Sequence, residues 1–309
     1  MKSPFWERPP TLAPVMESIN SPFLPPGFQI HTLTADGVDK AQRLVIEAGW
    51  NQTPQDWITF LELGHAYQVT TSEGEIVATA ATLPYPPHSG WISMVLVSQK
   101  HRRQGIASAL LGLCIQTLRS ANLAPCLDAT QAGRAVYQPL GFRDGLSISR
   151  WRLSQRCPAL ELPPQSPRVR PLLPSDWPCI SLLDHEAFGA DRTALLNQLH
   201  SRSTSFSCVA EQNGKVLGFL LGRVGRTATQ IGPLVALDEN TALALLAFAL
   251  PLVSERVLID ALDLHGGLRA QLQGLGFEYE RSFTRMALEA SSNTGNSALV
   301  FAISGPELG

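Results

Sequence analysis

The sequence predicts an α+β fold, a mixed and mostly antiparallel sheet flanked by helices, in two tandem copies. In the first half, three strand-like segments precede a helix, a short strand, a helix and a closing strand, and the same order recurs in the second half. Leu140-Gly141-Phe142 also reappears as Leu275-Gly276-Phe277, and the offset of 135 residues between them aligns the two closing strands. A repeated order of elements at a fixed offset indicates an internal duplication.

Hydrophobic spacing predicts the elements of the first copy, with alternation for strands and a period of three to four residues for helices. The helices are predicted at 35–49, 54–63, 105–120 and 132–140. The strands are predicted at 28–33, 65–70, 75–83, 91–97, 125–129 and 147–153. Turns rich in glycine and proline separate the strands between 65 and 97, so these form an antiparallel meander.

The second copy follows a proline-rich stretch without periodicity, which is typical of an interdomain linker. Its helices are predicted at 177–188, 193–199, 241–253 and 268–275. Its strands are predicted at 169–173, on both sides of the Asn213-Gly214 turn, and at 231–237, 257–262, 279–288 and 299–303, with a polar loop at 289–296. The chain is thus divided into a proline-rich extension (1–27), a first domain (28–153), a linker (154–167) and a second domain (168–309).

Composition excludes several classes of function. The formal net charge is −2, from 24 Lys and Arg against 26 Asp and Glu, which gives no field to hold nucleic acid or an acidic membrane surface. No apolar run approaches the roughly 20 residues that span a bilayer, and prolines interrupt the segment where a secretory signal would lie. We therefore expect a cytoplasmic protein without a nucleic-acid or membrane partner, and the oligomeric state stays open.

The cysteines also exclude some chemistry. There are five of them, with no Cys-x-x-Cys pair, which disfavours a disulfide framework and a structural zinc site, so we expect no metal. Cys114 and Cys126 lie on an apolar helix and an apolar strand, and no histidine is placed to activate either thiol. A covalent acyl-enzyme is therefore not expected.

A basic turn between a strand and a helix is the sharpest local signal. It reads Arg102-Arg103-Gln104-Gly105-Ile106-Ala107. The first amides of a helix have no partner within it and the helix dipole adds positive charge, so such a turn can hold a diphosphate. Gly105 and Ala107 leave room, and Arg102 and Arg103 add charge. Taken alone, the pattern also fits a surface helix with solvated basic residues.

The surrounding sequence resembles the GNAT superfamily of acyl-CoA-dependent N-acetyltransferases. Arg102-x-x-Gly105-x-Ala107 is similar to the diphosphate loop of that superfamily, and Tyr137 to Phe142 is similar to its tyrosine-containing helix and Leu-Gly-Phe turn. The resemblance covers residues 28–153, where the motifs and the order of elements agree. It implies the GNAT fold and acetyl-CoA as co-substrate.

The resemblance also implies which residues bind acetyl-CoA. The strand before the loop would lend backbone groups to the pantetheine arm, and the loop would hold the diphosphate. These residues are Val95, Leu96, Val97, Arg102, Arg103, Gln104, Gly105, Ile106, Ala107 and Ser108. Thr130 stands where the family often has asparagine, so it is a further candidate.

The same resemblance assigns Tyr137 as the acid that protonates the departing CoA thiolate, a role that a phenol with a pKa of about 10 can fill. Without the family context, Tyr137 would be read as a packed aromatic residue. The incoming amine must be neutral, so a base or a water relay is expected. The strand 91–97 has no carboxylate, and Asp128 and Asp56 are the candidates, although either fits a helix cap or a solvated acid.

The segment between the two opening helices is the predicted acceptor side. It reads Gly49-Trp50-Asn51-Gln52-Thr53-Pro54-Gln55-Asp56-Trp57, with two tryptophans and several amides. In the family this connection covers the acceptor pocket, and aromatic residues with a few polar groups suit a ligand site. Thr53 fits a helix cap and Trp57 a packed residue, so Trp50 and Asn51, with Asp56, are the predicted substrate contacts.

The second copy departs from the family where the chemistry should be. Its corresponding turn, Ala236-Leu237-Asp238-Glu239-Asn240-Thr241, has neither glycine nor arginine, and Leu272 stands at the offset of Tyr137. Like charge opposes a diphosphate there. We therefore predict a non-catalytic second domain and an enzyme that moves an acetyl group directly from acetyl-CoA to a primary amine of a small molecule. A sensor that binds acyl-CoA without turnover is the alternative.

Overall fold

A computed structural model of the protein describes residues 24–155, 160, 162–253, 256–288 and 295–309. Most of the extension predicted at 1–27, part of the linker predicted at 154–167 and most of the polar loop predicted at 289–296 lie outside these residues. Among the described residues, no helix has both the length and the apolar character that a membrane crossing requires.

The described residues of the first half form six strands and four α-helices in the predicted order. The strands are β1 (Phe28–Thr32), β2 (His65–Thr71), β3 (Ile76–Tyr85), β4 (Ser89–Val97), β5 (Ala124–Thr130) and β6 (Arg143–Leu153). The helices are α1 (Val38–Glu47), α2 (Pro54–Leu63), α3 (Ile106–Ser120) and α4 (Gln131–Tyr137). A Thr53 and Asp56 capping box with Pro54 in the first turn explains where α2 begins.

The second half repeats this order and adds one strand. The strands are β7 (Arg168–Pro171), β8 (Cys208–Gln212), β9 (Lys215–Val224), β10 (Thr229–Ala236), β11 (Val257–Leu262), β12 (Glu278–Ala287) and β13 (Val300–Ala302). The helices are α5 (Trp177–Phe188), α6 (Thr193–Arg202), α7 (Glu239–Ala249) and α8 (Gly266–Gly274). The predicted α+β class is confirmed.

The described strands of both halves form one continuous sheet, in the order β1-β2-β3-β4-β5-β12-β6-β11-β13-β10-β9-β8-β7. The expectation that the closing strand at 147–153 completes the first copy is therefore wrong. β12 lies between β5 and β6 and is antiparallel to both. On its other side, β6 pairs with β11, again antiparallel. Each half thus receives its closing strand from the other half, because either strand can extend an open antiparallel edge.

Helices cover both faces of the sheet. One apolar core runs through both halves on the face that packs against α1, α2, α5 and α6. The opposite face has two cores, one under α3 in the first half and one under α7 and α8 in the second. The shared core means that the face carrying α1 and α2 is built by residues of both halves.

Candidate active site

The site begins where β4 and β5 separate. These parallel strands pair only from Ser89 with Ala124 to Trp91 with Cys126, after which β4 has no ladder partner on that side among the described residues. On its other side β4 stays paired with β3 as far as Val97. β5 likewise stays paired with β12 as far as Thr130. The result is a gap, bordered by residues 92–97 of β4 and 127–130 of β5, with backbone groups on its β4 side.

A bulge in β4 accompanies this separation. The β3 partners change from Thr79 with Leu96 to Ala81 with Ser93, so that two residues of β4 lie opposite one residue of β3. Met94, in the bulge, has a φ of 54°, and its carbonyl accepts a hydrogen bond of 2.9 Å from the Thr79 hydroxyl. A bulge bends its strand, which turns the end of β4 away from β5. Val95, Leu96 and Val97 lie in this stretch.

The N-terminus of α3 follows at the end of β4. Gly105 precedes the helix with a φ of 84°, and a Cβ built on it would meet nothing within 4 Å. Among the described residues, no side chain caps the first turn, so the amides of Ile106, Ala107 and Ser108 have no acceptor from a cap. Gly105 thus serves two purposes, since it adopts a left-handed conformation and leaves the space above these amides clear.

The basic side chains around this helix terminus are exposed to solvent. Arg102, Arg103 and Gln104 are all exposed. The Nε of Arg102 donates to the Val97 carbonyl at 3.1 Å, which holds this side chain against the end of β4. Arg103 has a positive φ of 60°. The predicted diphosphate loop therefore combines free helix amides with two guanidinium groups at the mouth of the gap.

Thr130 and Tyr137 lie on the β5 side of the gap. The Thr130 hydroxyl accepts a 3.2 Å hydrogen bond from the Gly133 amide and so caps α4. The Tyr137 ring lies 5.8 Å from that of Phe142 and packs against the core under α3. Burial raises the pKa of Tyr137 above its usual value, and the neighbouring Cys114 thiol adds to this effect. The phenol therefore remains a proton donor across the neutral range.

A cavity of about 400 Å³ lies on the other face of the sheet, where β4 and β5 last pair. Trp91 and Cys126, the last paired residues, line it together with side chains of the second half. Among these are Phe188, Arg192, Leu262, Arg285, Met286 and Ile303. Tyr137 and this cavity thus lie on opposite faces of the sheet, and the gap between β4 and β5 lies between them.

Asp128 is held by an ion pair beside this cavity. Arg285, its ladder partner on β12, donates from Nε and Nη2 to both carboxylate oxygens at 2.9 Å. The Asp128 side chain is fully buried, whereas that of Arg285 is 14% exposed. Direct contact between this carboxylate and an amine would require it to leave the ion pair. The placement therefore does not support the predicted role of Asp128 as a base and fits a positioning role.

The predicted acceptor contacts lie in the interface between the halves. Asn51 accepts hydrogen bonds from the Thr227 amide and hydroxyl and the Ala228 amide, and it donates to the Ala228 carbonyl. The Trp50 carbonyl accepts from Arg226 Nε at 2.9 Å. Neither residue is among the described residues that line the cavity. Their contacts attach the α1–α2 connection to the second half.

Asp56 is also buried and fully engaged. Its Oδ1 pairs with Arg202 at 2.8 Å and Arg223 at 2.9 Å, and its Oδ2 accepts from Thr53. Burial opposes the charge, but the two arginines outweigh it and lower the pKa of Asp56. The carboxylate has no exposed surface for a substrate, because these groups surround it. The predicted substrate contact at Asp56 is thus not supported.

Comparison with known proteins identifies the fold in both halves. Residues 38–142 match the model of the acetyltransferase (GNAT) family, and residues 180–302 match that of an acetyltransferase (GNAT) domain. The chain is a tandem GNAT N-acetyltransferase. The predicted family and the two tandem copies are confirmed.

Similarity to individual known proteins extends over most of the chain. The uncharacterized N-acetyltransferase YitH of Bacillus subtilis is 25% identical over 240 residues, which cover 76% of this chain and 82% of YitH. A presumed acetyltransferase from Pyrococcus horikoshii superposes with a TM-score of 0.78 at 21% identity, covering 94% of this chain and 99% of that one. A tandem GNAT protein from the clavulanic acid biosynthesis pathway superposes at 0.61 with 16% identity, covering 86% and 100%.

The second GNAT domain has the same gap, but the chain itself fills it. β10 and β11 pair over three residues, from Thr229 with Val257 to Ile231 with Ile259, as β4 and β5 do. β13 then lies between them and pairs with both strands. A Cβ on Gly232 would lie 2.0 Å from the Ile303 carbonyl oxygen, so the segment packs directly against β10. Asp238 also caps α7, accepting from the Thr241 amide at 2.7 Å. This GNAT domain has no open gap.

Sequence reasoning missed the residues that the second half adds to the site. Arg285, Phe188 and Arg192 line the cavity, although they lie 97 to 194 residues from Trp91 in the chain. They sit on a closing strand, at a helix end and in a loop that carry no motif. Only the exchange of β12 brings Arg285 beside β5, and the exchange leaves no local signal in the sequence.

Proposed function

We propose that this GNAT protein transfers an acetyl group from acetyl-CoA to a primary amine of a small molecule, directly and within a ternary complex. One observation carries the proposal: the stretch of β4 at 92–97, which has no described partner on the β5 side, is followed across the turn at 98–105 by the uncapped N-terminus of α3. A single ligand with a diphosphate at one end and a slender arm at the other would bind both the α3 amides and the free backbone groups of β4. The second domain is proposed to have no catalytic role.

The residues present suit acetyl-CoA. The α3 amides after Gly105, with Arg102 and Arg103, would hold the diphosphate. Val95 to Val97 would pair with the amide groups of the pantetheine arm as a neighbouring strand does. β13 provides a test of this fit within the molecule, because an extended peptide segment occupies the corresponding gap of the second half. A slender chain with amide groups therefore suits this kind of gap.

The two faces of the sheet would supply the other participants. Bound acetyl-CoA supplies the thioester, which is the activated acyl donor. Val97 lies six positions after Trp91, or roughly 20 Å of extended strand, so an arm lying along β4 would end near the cavity. Tyr137 would donate its proton from the α3 side, and the cavity would admit the amine from the opposite side.

The amine must lose a proton before it attacks. Asp128 is proposed to position Arg285 rather than to take this proton, because its buried carboxylate is bound through both oxygens. Water at the open mouth of the cavity would then accept the proton. This assignment makes turnover sensitive to the pKa of the amine, since the neutral fraction must form before it binds productively.

Three measurements on the full chain test the proposal. Calorimetry should detect binding of acetyl-CoA, and release of free thiol should require one amine from a panel that spans amino acids, arylalkylamines, amino sugars and polyamines. The acetylated product should then appear by mass spectrometry. Tight binding of acetyl-CoA without thiol release across the panel would favour the sensor of acyl-CoA instead. No binding at all would overturn both readings.

A further inference from the structure

The cavity beside the gap has mostly apolar walls. Trp91 and Phe188 lie 5.8 Å apart between ring centroids, and aliphatic side chains of both halves complete the lining. Such walls suit the apolar body of a ligand, whereas specificity comes from the few polar groups among them. The charged side chains that line the cavity are Arg143, Asp144, Arg192 and Arg285.

Two of these four are already satisfied by the protein. Arg192 donates to both oxygens of Asp184, and its Nη1 donates to the Ser304 hydroxyl and the Gly309 carbonyl. Asp144 accepts from Arg134 in a bidentate ion pair and from Gln138 at 3.2 Å. Asp144 is the one acidic side chain among the described lining residues, so the cavity offers no free side-chain carboxylate to a ligand with several ammonium groups.

Arg285 differs, because it keeps an unused edge. Nε and Nη2 bind Asp128, and Nη1 has no hydrogen-bond partner in the part of the chain that the structure describes. Its guanidinium lies 4.6 Å from the centroid of Trp91 and so is fixed on a cavity wall. A guanidinium donates five hydrogen bonds in a fixed fork. The remaining N–H groups therefore need an acceptor, and the cavity is where one would come from.

Arg143 extends this positive region toward the mouth. It begins β6 and is the ladder partner of Ala287, two residues beyond Arg285 on β12. Its side chain is exposed and, among the described residues, enters no ion pair. Two arginines on neighbouring strands thus border an apolar cavity: Arg143 enters no ion pair among the described residues, and Arg285, although paired with Asp128, keeps N–H groups free to donate.

We propose that the acceptor is a primary amine that carries a carboxylate and an apolar body, as a hydrophobic amino acid does, and that Arg285 and Arg143 bind its carboxylate. The inference rests on the proposed function for the role of the cavity. It excludes polyamines and aminoglycoside-like amines, which need acidic walls.

Binding to the full-length protein tests this without turnover. The probes are L-phenylalanine, 2-phenylethylamine, 3-phenylpropionate and spermidine, with leucine, isopentylamine and 4-methylpentanoate as a smaller series, measured by calorimetry. We expect the amino acid and the carboxylate of at least one series to bind more tightly than the matching amine. Arg143→Gln should weaken both by about tenfold, the usual loss for one hydrogen bond to a charged group, and leave the amine unchanged.

Arg281→Gln is the matched control for Arg143→Gln, because Arg281 lies on β12, the strand that pairs with β6, but binds Glu280 outside the described cavity lining. It should leave all affinities unchanged. The proposal is overturned if the plain amines or spermidine bind more tightly than the carboxylates, or if neither carboxylate series binds below roughly 10 mM. If the carboxylates bind as expected but no amine is acetylated, the proposed function fails and the anion site stands.

Discussion

Arg285 of the second half donates two hydrogen bonds of 2.9 Å to Asp128 of the first half, across the ladder between β12 and β5. The same guanidinium packs on the Trp91 ring at 4.6 Å. Burial opposes its charge, but Asp128 outweighs this and raises the pKa of Arg285. The cavity beside the gap therefore depends on a residue that lies beyond the linker in the chain.

Asp128→Asn should destabilise the fold more than it affects chemistry. Removing one partner leaves the Arg285 charge buried and poorly compensated, which costs on the order of 3 kcal/mol. Asp144→Asn is the control, because its ion pair with Arg134 is exposed and should be worth less than about 1 kcal/mol. Denaturant titration compares the two. A variant with wild-type stability and a turnover lowered by more than about a hundredfold would return Asp128 to the role of base.

Gly105→Glu should abolish acetyl-CoA binding. The substitution adds a carboxylate over the free amides of α3, where the diphosphate is proposed to bind. The left-handed φ of 84° adds a strain of roughly 1 kcal/mol, so the fold should persist. Gly112→Glu places the same charge on the same helix in open space and should bind normally. Equal acetyl-CoA affinities of the two variants by calorimetry would remove the loop from the site.

Tyr137→Phe should lower kcat by about 10² to 10⁴ and leave acetyl-CoA affinity unchanged, because only the proton donor is lost. The pKa of the wild-type phenol is raised above its usual value of 10.0, so the donor stays protonated below that pH. Turnover of the wild type should then show no alkaline loss from this group below about pH 10. Tyr67→Phe, on β2 and bound to Thr117, is the buried control. Full activity of Tyr137→Phe would show that Tyr137 has only a packing role.

Wild-type protein should bind one acetyl-CoA per chain. The gap of the second half is filled by β13, and the Asp238 side chain accepts a hydrogen bond from the Thr241 amide in the first turn of α7. Asp238→Lys should therefore change stability, by about 0.5–2 kcal/mol for the lost cap, but not the stoichiometry. Asp238→Asn keeps a capping side chain and should restore stability. A titration with a stoichiometry of two acetyl-CoA per chain would show that the ligand displaces β13 from the gap.

Asn51→Ala should weaken the interface between the two halves and so destabilise the fold. The change leaves the amides of Thr227 and Ala228 without their acceptor. Because Ala228 is buried but Thr227 is exposed, the expected cost is about 1–3 kcal/mol. Asn197→Ala, whose side chain makes one exposed contact on α6, should cost less than about 0.5 kcal/mol. Unfolding and the KM for the amine are measured together. Wild-type stability with a raised KM would favour the predicted substrate contact at Asn51.

Much of the fold was predictable because its signals are local. The period of apolar residues predicts each helix and strand, and a strand followed by Gly105 and an uncapped helix predicts a diphosphate loop. The absence of such a loop near Asp238 predicts, in the same way, a second half that does not bind a diphosphate. These features depend on residues that are neighbours in the chain.

The exchange of closing strands and the polar contacts between the halves were not predictable. β6 and β12 have similar alternating patterns, and neither sequence specifies which edge of the sheet its strand will join. Asn51 and Asp56 are polar residues beside tryptophans, which fits a ligand site equally well. Their partners, Thr227, Arg202 and Arg223, lie at least 146 residues away in the chain.

The ladder between β6 and β12 has a consequence for how this protein could have evolved. Ile148 pairs directly with Phe283, its counterpart at the offset of 135 residues. In a symmetric homodimer the residue on the two-fold axis faces a copy of itself, so every substitution there occurs twice. Within one chain the two positions vary separately, and a large ring can be set against a smaller aliphatic group. In a single chain these two positions are therefore free of the symmetry of a homodimer, and the two halves can diverge in sequence.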